Sequence, residues 1–198
     1  MLPDRETAME LLQTSYLMNP GPWKDHSIVT AECAHRIAAC CPGMDAEKAY
    51  ILGLLHDIGR RYGVTYLRHV TDGYRFFMEM GYDEAARACM THSFSVKTLD
   101  EYIGKWDVPE EDLALIRRLL AEYAYDDYDR LIQLCDSIAM ADGPVDIEIR
   151  MQDVKDRYGT YPIEKWNRNI ELQRYFEHKA GKTLKQILGL SENNRPEE

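Results

Sequence analysis

Residues 50–59 read Tyr-Ile-Leu-Gly-Leu-Leu-His-Asp-Ile-Gly, an apolar run that ends in an adjacent histidine and aspartate. Such a run, preceded by Asp45 as a helix N-cap, predicts a helix that is buried on most of its surface. His56 lies one turn after Leu52, so its side chain points towards the same apolar interior. Gly59 is predicted to end this helix. The sequence therefore predicts a core helix with polar, potentially metal-binding side chains at its end.

Helical periodicity continues outward from this helix through nearly the whole chain. Pro42-Gly43 and Asp142-Gly143-Pro144 interrupt it, because proline cannot continue a helix and glycine accepts the turn. We find no alternating strand pattern, internal repeat or Gly/Ser linker in the sequence, and we predict an all-α fold. The predicted helices cover about residues 5–18, 25–41, 46–58, 67–80, 83–92, 110–124, 128–141, 145–157 and 163–179, with a short one from Thr183.

The length of the chain predicts one domain. Its 198 residues are enough to bury a continuous core, so we predict a single all-α domain over residues 1–190. The core that carries the motifs spans about residues 23–145, and residues 145–190 form a helical extension. The tail, residues 191–198, is polar and is predicted to be flexible.

Charge and cysteine content exclude several classes of function. The formal net charge is −10, and the 24 lysines and arginines are interspersed with 34 acidic residues instead of forming a basic stripe. Nucleic acid is therefore not an expected partner. A small anionic metabolite is compatible, since bound cations reverse the potential inside a pocket. The five cysteines lack CxxC spacing, so we expect buried thiols and no disulfide framework.

The sequence also gives an expectation about location. The N-terminus is charged where a signal peptide would be apolar, and no stretch approaches the roughly 20 apolar residues of a membrane span. We expect a cytoplasmic protein that does not contact a membrane. The sequence leaves the oligomeric state open.

Candidate metal ligands recur on otherwise apolar helical stripes. Imidazole nitrogen and carboxylate oxygen suit first-row divalent metals, whereas an oxygen-only site would indicate magnesium or calcium. More candidates are present than one tetrahedral ion needs, so we predict a two-metal site with a carboxylate between the ions. The predicted metal ligands are His26, His56, Asp57, His69, His92 and Asp136.

Two of these assignments have alternatives. Asp136 lies in the apolar stretch 131–139, where an unpaired carboxylate would cost several kcal/mol, so it needs a cation or a dense hydrogen-bond network. Taken alone, it would also fit a capped or salt-bridged aspartate. His69 lies in a segment of mixed polarity, where a surface histidine fits nearly as well as a ligand.

The order of His26, the adjacent pair His56-Asp57 and Asp136 resembles the motif of the HD superfamily of metal-dependent phosphohydrolases. The resemblance covers about residues 23–145 and implies an HD-domain helical bundle. It also implies that these four residues hold one metal and that Asp57 bridges to a second one.

The remaining histidines extend the resemblance to the dinuclear branch of that superfamily. His69 and His92 match its additional ligand positions. The branch includes bacterial diadenosine tetraphosphate hydrolases and mixed-valent di-iron oxygenases. The resemblance therefore implies two divalent ions as cofactors, iron first, with manganese, zinc, cobalt or nickel as alternatives.

Two differences from the motifs of related enzymes reduce the range of activities that the resemblance implies. Arg60-Arg61 occupy the place where lysine often follows the His-Asp-Ile-Gly motif in cyclic-dinucleotide phosphodiesterases and myo-inositol oxygenase. The paired histidines and the Gly-Tyr-Pro signature of the cyclic-dinucleotide enzymes are also missing from this chain. We therefore do not expect activity on cyclic dinucleotides.

A phosphate substrate needs cationic contacts beyond the metals. We predict such contacts from Arg60 and Arg61, which follow the His-Asp pair, and from Lys97 farther along the chain. Together with Asp57, Arg60 and Lys97 are the predicted catalytic residues. The alternatives are that the arginines complement a helix dipole and that Lys97 is a solvated surface residue.

The leading functional prediction is hydrolysis of a small phosphate ester or phosphoanhydride, with a nucleotide as the first candidate, by attack of a metal-bridging hydroxide. A di-iron oxygenase is the first alternative, since the same ligands support oxygen chemistry. A non-catalytic module that binds a nucleotide or a metal is the second. We interpret the aromatic side chains of the C-terminal helices as core packing; any that line the pocket would favour a nucleotide.

Overall fold

The computed structural model describes residues 1–190, and most of them are helical. The predicted all-α fold is confirmed, because the strands within this range are one pair of two residues each. The predicted flexible tail, residues 191–198, lies outside the described residues. None of the helices in residues 1–190 combines the length and the apolar character needed to cross a lipid bilayer.

The described residues form ten α-helices, two 3-10 helices and two short strands. The α-helices are α1 (Arg5–Met18), α2 (Trp23–Cys40), α3 (Ala46–Leu55), α4 (Arg68–Glu79), α5 (Asp83–Thr91), α6 (Glu110–Glu122), α7 (Asp127–Asp136), α8 (Ile147–Tyr158), α9 (Ile163–Ala180) and α10 (Leu184–Leu188). Short 3-10 helices cover Ile58–Tyr62 and Leu99–Glu101. Strand β1 (Ala139–Met140) pairs antiparallel with β2 (Gly143–Pro144).

Helix α3 lies in the interior. The Asp45 side chain caps its first turn by accepting hydrogen bonds from the backbone N–H groups of residues 47 and 48. All residues from 49 to 55 are buried. Gly53 lets helix α2 approach closely, because a Cβ atom there would lie 2.9 Å from Cα of Ala31. The apolar run that opened the sequence analysis thus forms the centre of the fold.

The C-terminal extension packs on the helices that carry the motifs. Phe176 of α9 and Ile187 of α10 belong to the same buried cluster as Ile37 of α2 and Leu134 of α7. Burial of apolar side chains is the main favourable contribution to such packing. Helices α9 and α10 therefore pack against α2 and α7. Helix α8 lies between the hairpin and α9 in the chain order.

Gly59 has a different role from the predicted one. Helix α3 ends at Leu55, and Gly59 lies inside the following 3-10 helix instead of terminating α3. A Cβ atom on Gly59 would lie 2.0 Å from the carbonyl oxygen of His69 and 2.6 Å from the backbone nitrogen of Gly73. Glycine is therefore required for the 3-10 helix to lie directly against α4.

The end of helix α7 also differs from the prediction. The helix ends at Asp136 instead of continuing to residue 141, and residues 139–144 form the hairpin of β1 and β2. Gly143 has a φ of +142°, a region that favours glycine, and it lets the chain reverse. The apolar residues 138–140 continue the helical pattern in the sequence, which conceals the change of structure.

Candidate metal centre

The six predicted ligands lie at helix ends that converge. His56 and His92 directly follow the last residues of α3 and α5, and Asp136 is the last residue of α7. The carbonyl groups at these C-terminal ends carry partial negative charge, which favours a nearby cation. His26 and His69 lie in the first turns of α2 and α4.

One group of possible ligands consists of Asp57, His69 and His92, whose ligand atoms all lie within 4.8 Å of one another. The Nε2 atoms of His69 and His92 are 3.2 Å and 3.5 Å from Oδ1 of Asp57. The two Nε2 atoms are 3.1 Å apart. His69 is only 2% exposed, so the alternative of a surface histidine does not apply.

A second group consists of His26, His56 and Asp57, again within 4.8 Å. Asp136 adjoins it, with Oδ1 at 3.0 Å from Nε2 of His26 and 3.8 Å from Nε2 of His56. Because Asp57 belongs to both groups, its carboxylate is in position to bridge them. The structure therefore brings all six side chains together, while their role as ligands stays a prediction.

Backbone carbonyl groups orient the imidazole rings. In His56, His69 and His92 alike, Nδ1 donates a hydrogen bond to the carbonyl oxygen three residues earlier, which leaves the Nε2 lone pair directed at the carboxylates. Nδ1 of His26 lies 3.3 Å from the carbonyl oxygen of Ala139, so strand β1 supplies the corresponding acceptor. The acceptors for the first three are Gly53 at 2.7 Å, Tyr66, and Cys89 at 2.8 Å.

Burial keeps these histidines neutral. It lowers the pKa of His56 to about 4 and, with a further contribution from Arg60, lowers the pKa of His69 to about 3. It also lowers the pKa of His92. All three imidazoles are therefore uncharged at neutral pH, which is the form that binds a metal.

The two carboxylates are ionised in spite of their surroundings. Burial alone would raise the pKa of Asp57, but the charged guanidinium group of Arg60 holds it well below its usual range. Burial likewise opposes ionisation of Asp136, and the hydrogen bond with His26 outweighs it, so this pKa is also lowered. Both side chains therefore present only acceptor oxygens at neutral pH.

Two buried atoms without a hydrogen-bond partner show whether a metal ion fits this site. Nε2 of His56 and Oδ1 of Asp57 are buried and have no hydrogen-bond partner among the described residues. A buried unsatisfied group costs about 1–3 kcal/mol, so such atoms are normally paired. A cation would satisfy both, and imidazole with carboxylate is a donor set that fits a first-row divalent metal. The cluster thus contains two groups that could hold a metal ion.

Arg60 is the one predicted substrate contact that the structure brings to the cluster. Its Nε donates to Oδ2 of Asp57 at 2.5 Å. Arg61 points elsewhere, because its guanidinium carbon lies 4.2 Å from the ring centroid of Phe76, outside the group of ligands. Consecutive residues of a 3-10 helix point about 120° apart, so these two side chains cannot share a direction.

Lys97 also lies away from the cluster. Its side chain is exposed, and the ammonium group donates to the carbonyl oxygen of Tyr123 and lies 4.5 Å from the ring centroid of Tyr125. The structure therefore gives no support to Lys97 as a catalytic or substrate-binding residue, nor to Arg61 as a phosphate contact.

A cleft with two lobes opens onto the ligands. The larger lobe has a volume of about 560 Å³ and the smaller one about 360 Å³. Asp136 and Arg60 line both lobes. So do Arg150, Arg157 and Tyr158 of helix α8, which the sequence analysis did not identify as site residues.

The smaller lobe contains further side chains that the sequence analysis missed. Lys165 of α9 and the rings of Tyr66, Tyr102 and Tyr161 line it. The C-terminal tyrosines at 158 and 161 were interpreted as core packing, but they face the cleft. The only sequence signal for the part of the cleft formed by α8 is the spacing of seven residues between Arg150 and Arg157, which puts them on one helix face.

Comparison with known families matches residues 23–141 to the family described as HD domain, which is more than half of the chain. The matched range includes all six clustered side chains and ends before helix α8. A search of curated proteins returned no match. A search of solved structures returned none either.

Proposed function

The chain belongs to the HD-domain family, and from the geometry of its histidine and aspartate cluster we propose that it is a metal-dependent phosphohydrolase that acts on a small phosphate ester or phosphoanhydride. The observation that carries this proposal is the shared position of Asp57 between two groups of possible ligands. A carboxylate placed in this way is typical of two-metal hydrolytic sites.

The residues divide naturally between two ions. His26, His56, Asp57 and Asp136 would hold one, and His69 and His92 would hold the other together with the same Asp57. Divalent ions bound there would lower the pKa of a coordinated water and neutralise negative charge on a phosphoryl group.

Arg60 has two tasks in this proposal. Its Nε holds the Asp57 carboxylate in a fixed orientation, and the pairing keeps that carboxylate ionised. A guanidinium group has five N–H donors, and Arg60 lines both lobes, so donors remain for the oxygens of a substrate phosphoryl group. The interaction of arginine with phosphate is geometrically specific because it can be bidentate.

Burial of the site strengthens its electrostatic interactions and holds its side chains in place. Asp57, His69 and His92 are each less than 5% exposed, so bulk water reaches them only through the cleft. Electrostatic interactions are stronger in such a site than in water. The fixed carbonyl acceptors of the imidazoles keep the ligands in place, so little reorganisation is needed when substrate binds.

The test is hydrolysis of a panel of nucleotides and sugar phosphates by the full chain loaded with Mn²⁺ or, without oxygen, with Fe²⁺, measured as loss of the intact compound and formation of its products. We expect turnover of at least one compound and its loss in Asp57→Asn and His26→Gln. His35→Gln is the matched control for the second variant, since it removes an imidazole from the same helix whose Nδ1 contacts only the carbonyl of Ala46.

Three outcomes would contradict the proposal. They are a panel in which no compound is hydrolysed, turnover that persists in Asp57→Asn, and equal losses in His26→Gln and His35→Gln. If the iron-loaded protein instead consumed oxygen without releasing phosphate, the di-iron oxygenase would replace the phosphohydrolase.

A further inference from the structure

Three cationic side chains from helices outside the family match face the cleft. Arg150 and Arg157 lie on α8 and line both lobes, and Lys165 lies on α9 and lines the smaller one. The chain as a whole has a net charge of −10, so a local concentration of cations is unlike its general surface. These side chains are not needed to hold the metal ligands, which they do not contact within salt-bridge distance.

The two arginines share a single carboxylate. Nη1 of Arg150 and Nη2 of Arg157 are 2.7 Å and 2.8 Å from the same oxygen, Oδ2 of Asp153. One negative charge therefore compensates two positive charges. Nε of Arg150 is buried and has no hydrogen-bond partner among residues 1–190. A buried charged donor without a partner is costly, so the Arg150 guanidinium is incompletely compensated by the described residues.

The ammonium group of Lys165 forms no ion pair within residues 1–190, and Asp136 and Glu101 act on it only from a longer distance. Its ammonium group donates to the carbonyl oxygen of Ser93 at 2.7 Å, and no carboxylate among the described residues lies within 4.0 Å of it. Burial lowers its pKa to about 8. Ser93 directly follows His92, so this lysine lies beside the group formed by Asp57, His69 and His92.

A second cavity in the same molecule differs from the cleft in how its cations are paired with carboxylates. That cavity, of about 390 Å³, lies next to α5 and also contains two cations. There Lys48 pairs with Glu84, and Arg87 pairs with Asp129, so each cation has its own carboxylate. Of these two cavities, only the cleft at the predicted metal centre has two arginines that share one carboxylate and a lysine without an ion pair among residues 1–190.

We propose that Arg150, Arg157 and Lys165 bind a second phosphoryl group of the substrate, next to the one held at the metal centre. This inference rests on the proposed function and narrows it, because a simple phosphate monoester would leave these side chains without a ligand. The substrate class is then a phosphoanhydride with at least two adjacent phosphoryl groups. The HD core supplies the hydrolytic centre, and the extension selects the length of the phosphate chain.

Non-hydrolysable phosphonates test the proposal without relying on turnover. Methylenediphosphonate has two linked phosphoryl-like groups, and methylphosphonate has one. Calorimetric titrations of the full chain with each compound, in excess Mn²⁺ so that the ion sites stay loaded, give both affinities. Arg157→Gln is the first variant because this side chain is half exposed, so its replacement does not threaten folding. Lys165→Gln is the second.

We expect each variant to weaken methylenediphosphonate binding by roughly tenfold or more, and methylphosphonate binding by less than about twofold, since one charge-assisted contact to the second group is lost. Lys155→Gln is the control, because it removes a charge from an exposed position of the same helix α8. It should leave both affinities unchanged.

The inference is overturned if both variants bind the two compounds as the unchanged protein does, or if they weaken both compounds equally. A protein that hydrolyses no compound but shows the expected selective loss would refute the proposed phosphohydrolase and leave the anion site standing. A protein with turnover but no selective loss would do the reverse.

Discussion

Gly59→Ala is expected to disable the group of possible ligands formed by Asp57, His69 and His92. The added Cβ atom would lie 2.0 Å from the carbonyl oxygen of His69, whereas close carbon-to-oxygen contacts are about 3.3 Å. The 3-10 helix and α4 must therefore separate by about 1 Å, because both obstacles are backbone atoms that cannot rotate away. His69 moves with α4, and Asp57 stays with the 3-10 helix.

The magnitude follows from this displacement. Overpacking of a core costs about 1–3 kcal/mol, and a backbone obstacle puts Gly59→Ala at the upper end of that range. For a chain of this size, about 3 kcal/mol corresponds to a decrease in Tm of roughly 6–12 °C. Metal ligands tolerate deviations of about 0.2 Å, so a shift of about 1 Å between Asp57 and His69 should abolish tight binding of the second ion.

Differential scanning calorimetry and elemental analysis after dialysis against Mn²⁺ measure the two effects. Gly81→Ala is the control, because Gly81 has a φ of +76° and nothing within 4 Å of an added Cβ atom. It should cost about 1–2 kcal/mol through backbone strain alone and keep its metal content. The reasoning is refuted if Gly59→Ala melts like the unchanged protein, or if it loses stability and retains the second ion.

Further tests are removal of the metal, a decrease in pH, and substitutions at two residues. Restoring Mn²⁺ to chelated protein at 100 times its Kd should stabilise the fold by about 2.7 kcal/mol, seen by calorimetry as a higher Tm; an unchanged Tm would exclude binding by the folded state. The metal-free protein should lose stability as the pH falls from 6.5 to about 4, because unfolded histidines take up protons in this window while His56 and His69 stay neutral. Urea midpoints at about pH 7.5 and about pH 5 check this expectation, and equal midpoints would contradict it. Arg60→Gln should lower kcat/KM by roughly 10- to 100-fold, since a charge-assisted contact is lost, whereas Lys97→Gln should change it by less than about twofold. A loss at Lys97 as large as that at Arg60 would restore the assignment made from sequence.

The helices could be predicted because local signals mark them. Proline, glycine and N-cap residues set most helix ends, and the apolar face of each helix shows which side is buried. The same face rule placed His56 in the interior, where the structure has it. The hairpin after α7 escaped prediction because residues 138–140 are apolar in a helical rhythm, and only Gly143 carries the reversal.

The cationic contacts were harder to predict, because nearness in sequence is a poor guide outside regular helices. Arg61 adjoins Arg60 but points to another side of a 3-10 helix. Lys97 follows the end of α5, after which no periodic rule relates it to the ligands. Arg150 and Lys165 reach the cleft only through the packing of the extension on α2 and α7, which is a tertiary property.

The hydrogen bonds from Nδ1 to the preceding carbonyl groups have an evolutionary consequence. A main-chain acceptor is present whatever side chain a position carries, so mutation at residues 53, 66 or 89 does not delete it. The orientation of these three imidazole rings is therefore set by the backbone and not by neighbouring side chains. The cleft walls, which consist of side chains, are free to diverge. Descendants of this chain can therefore acquire new substrates while the ligand geometry persists unchanged.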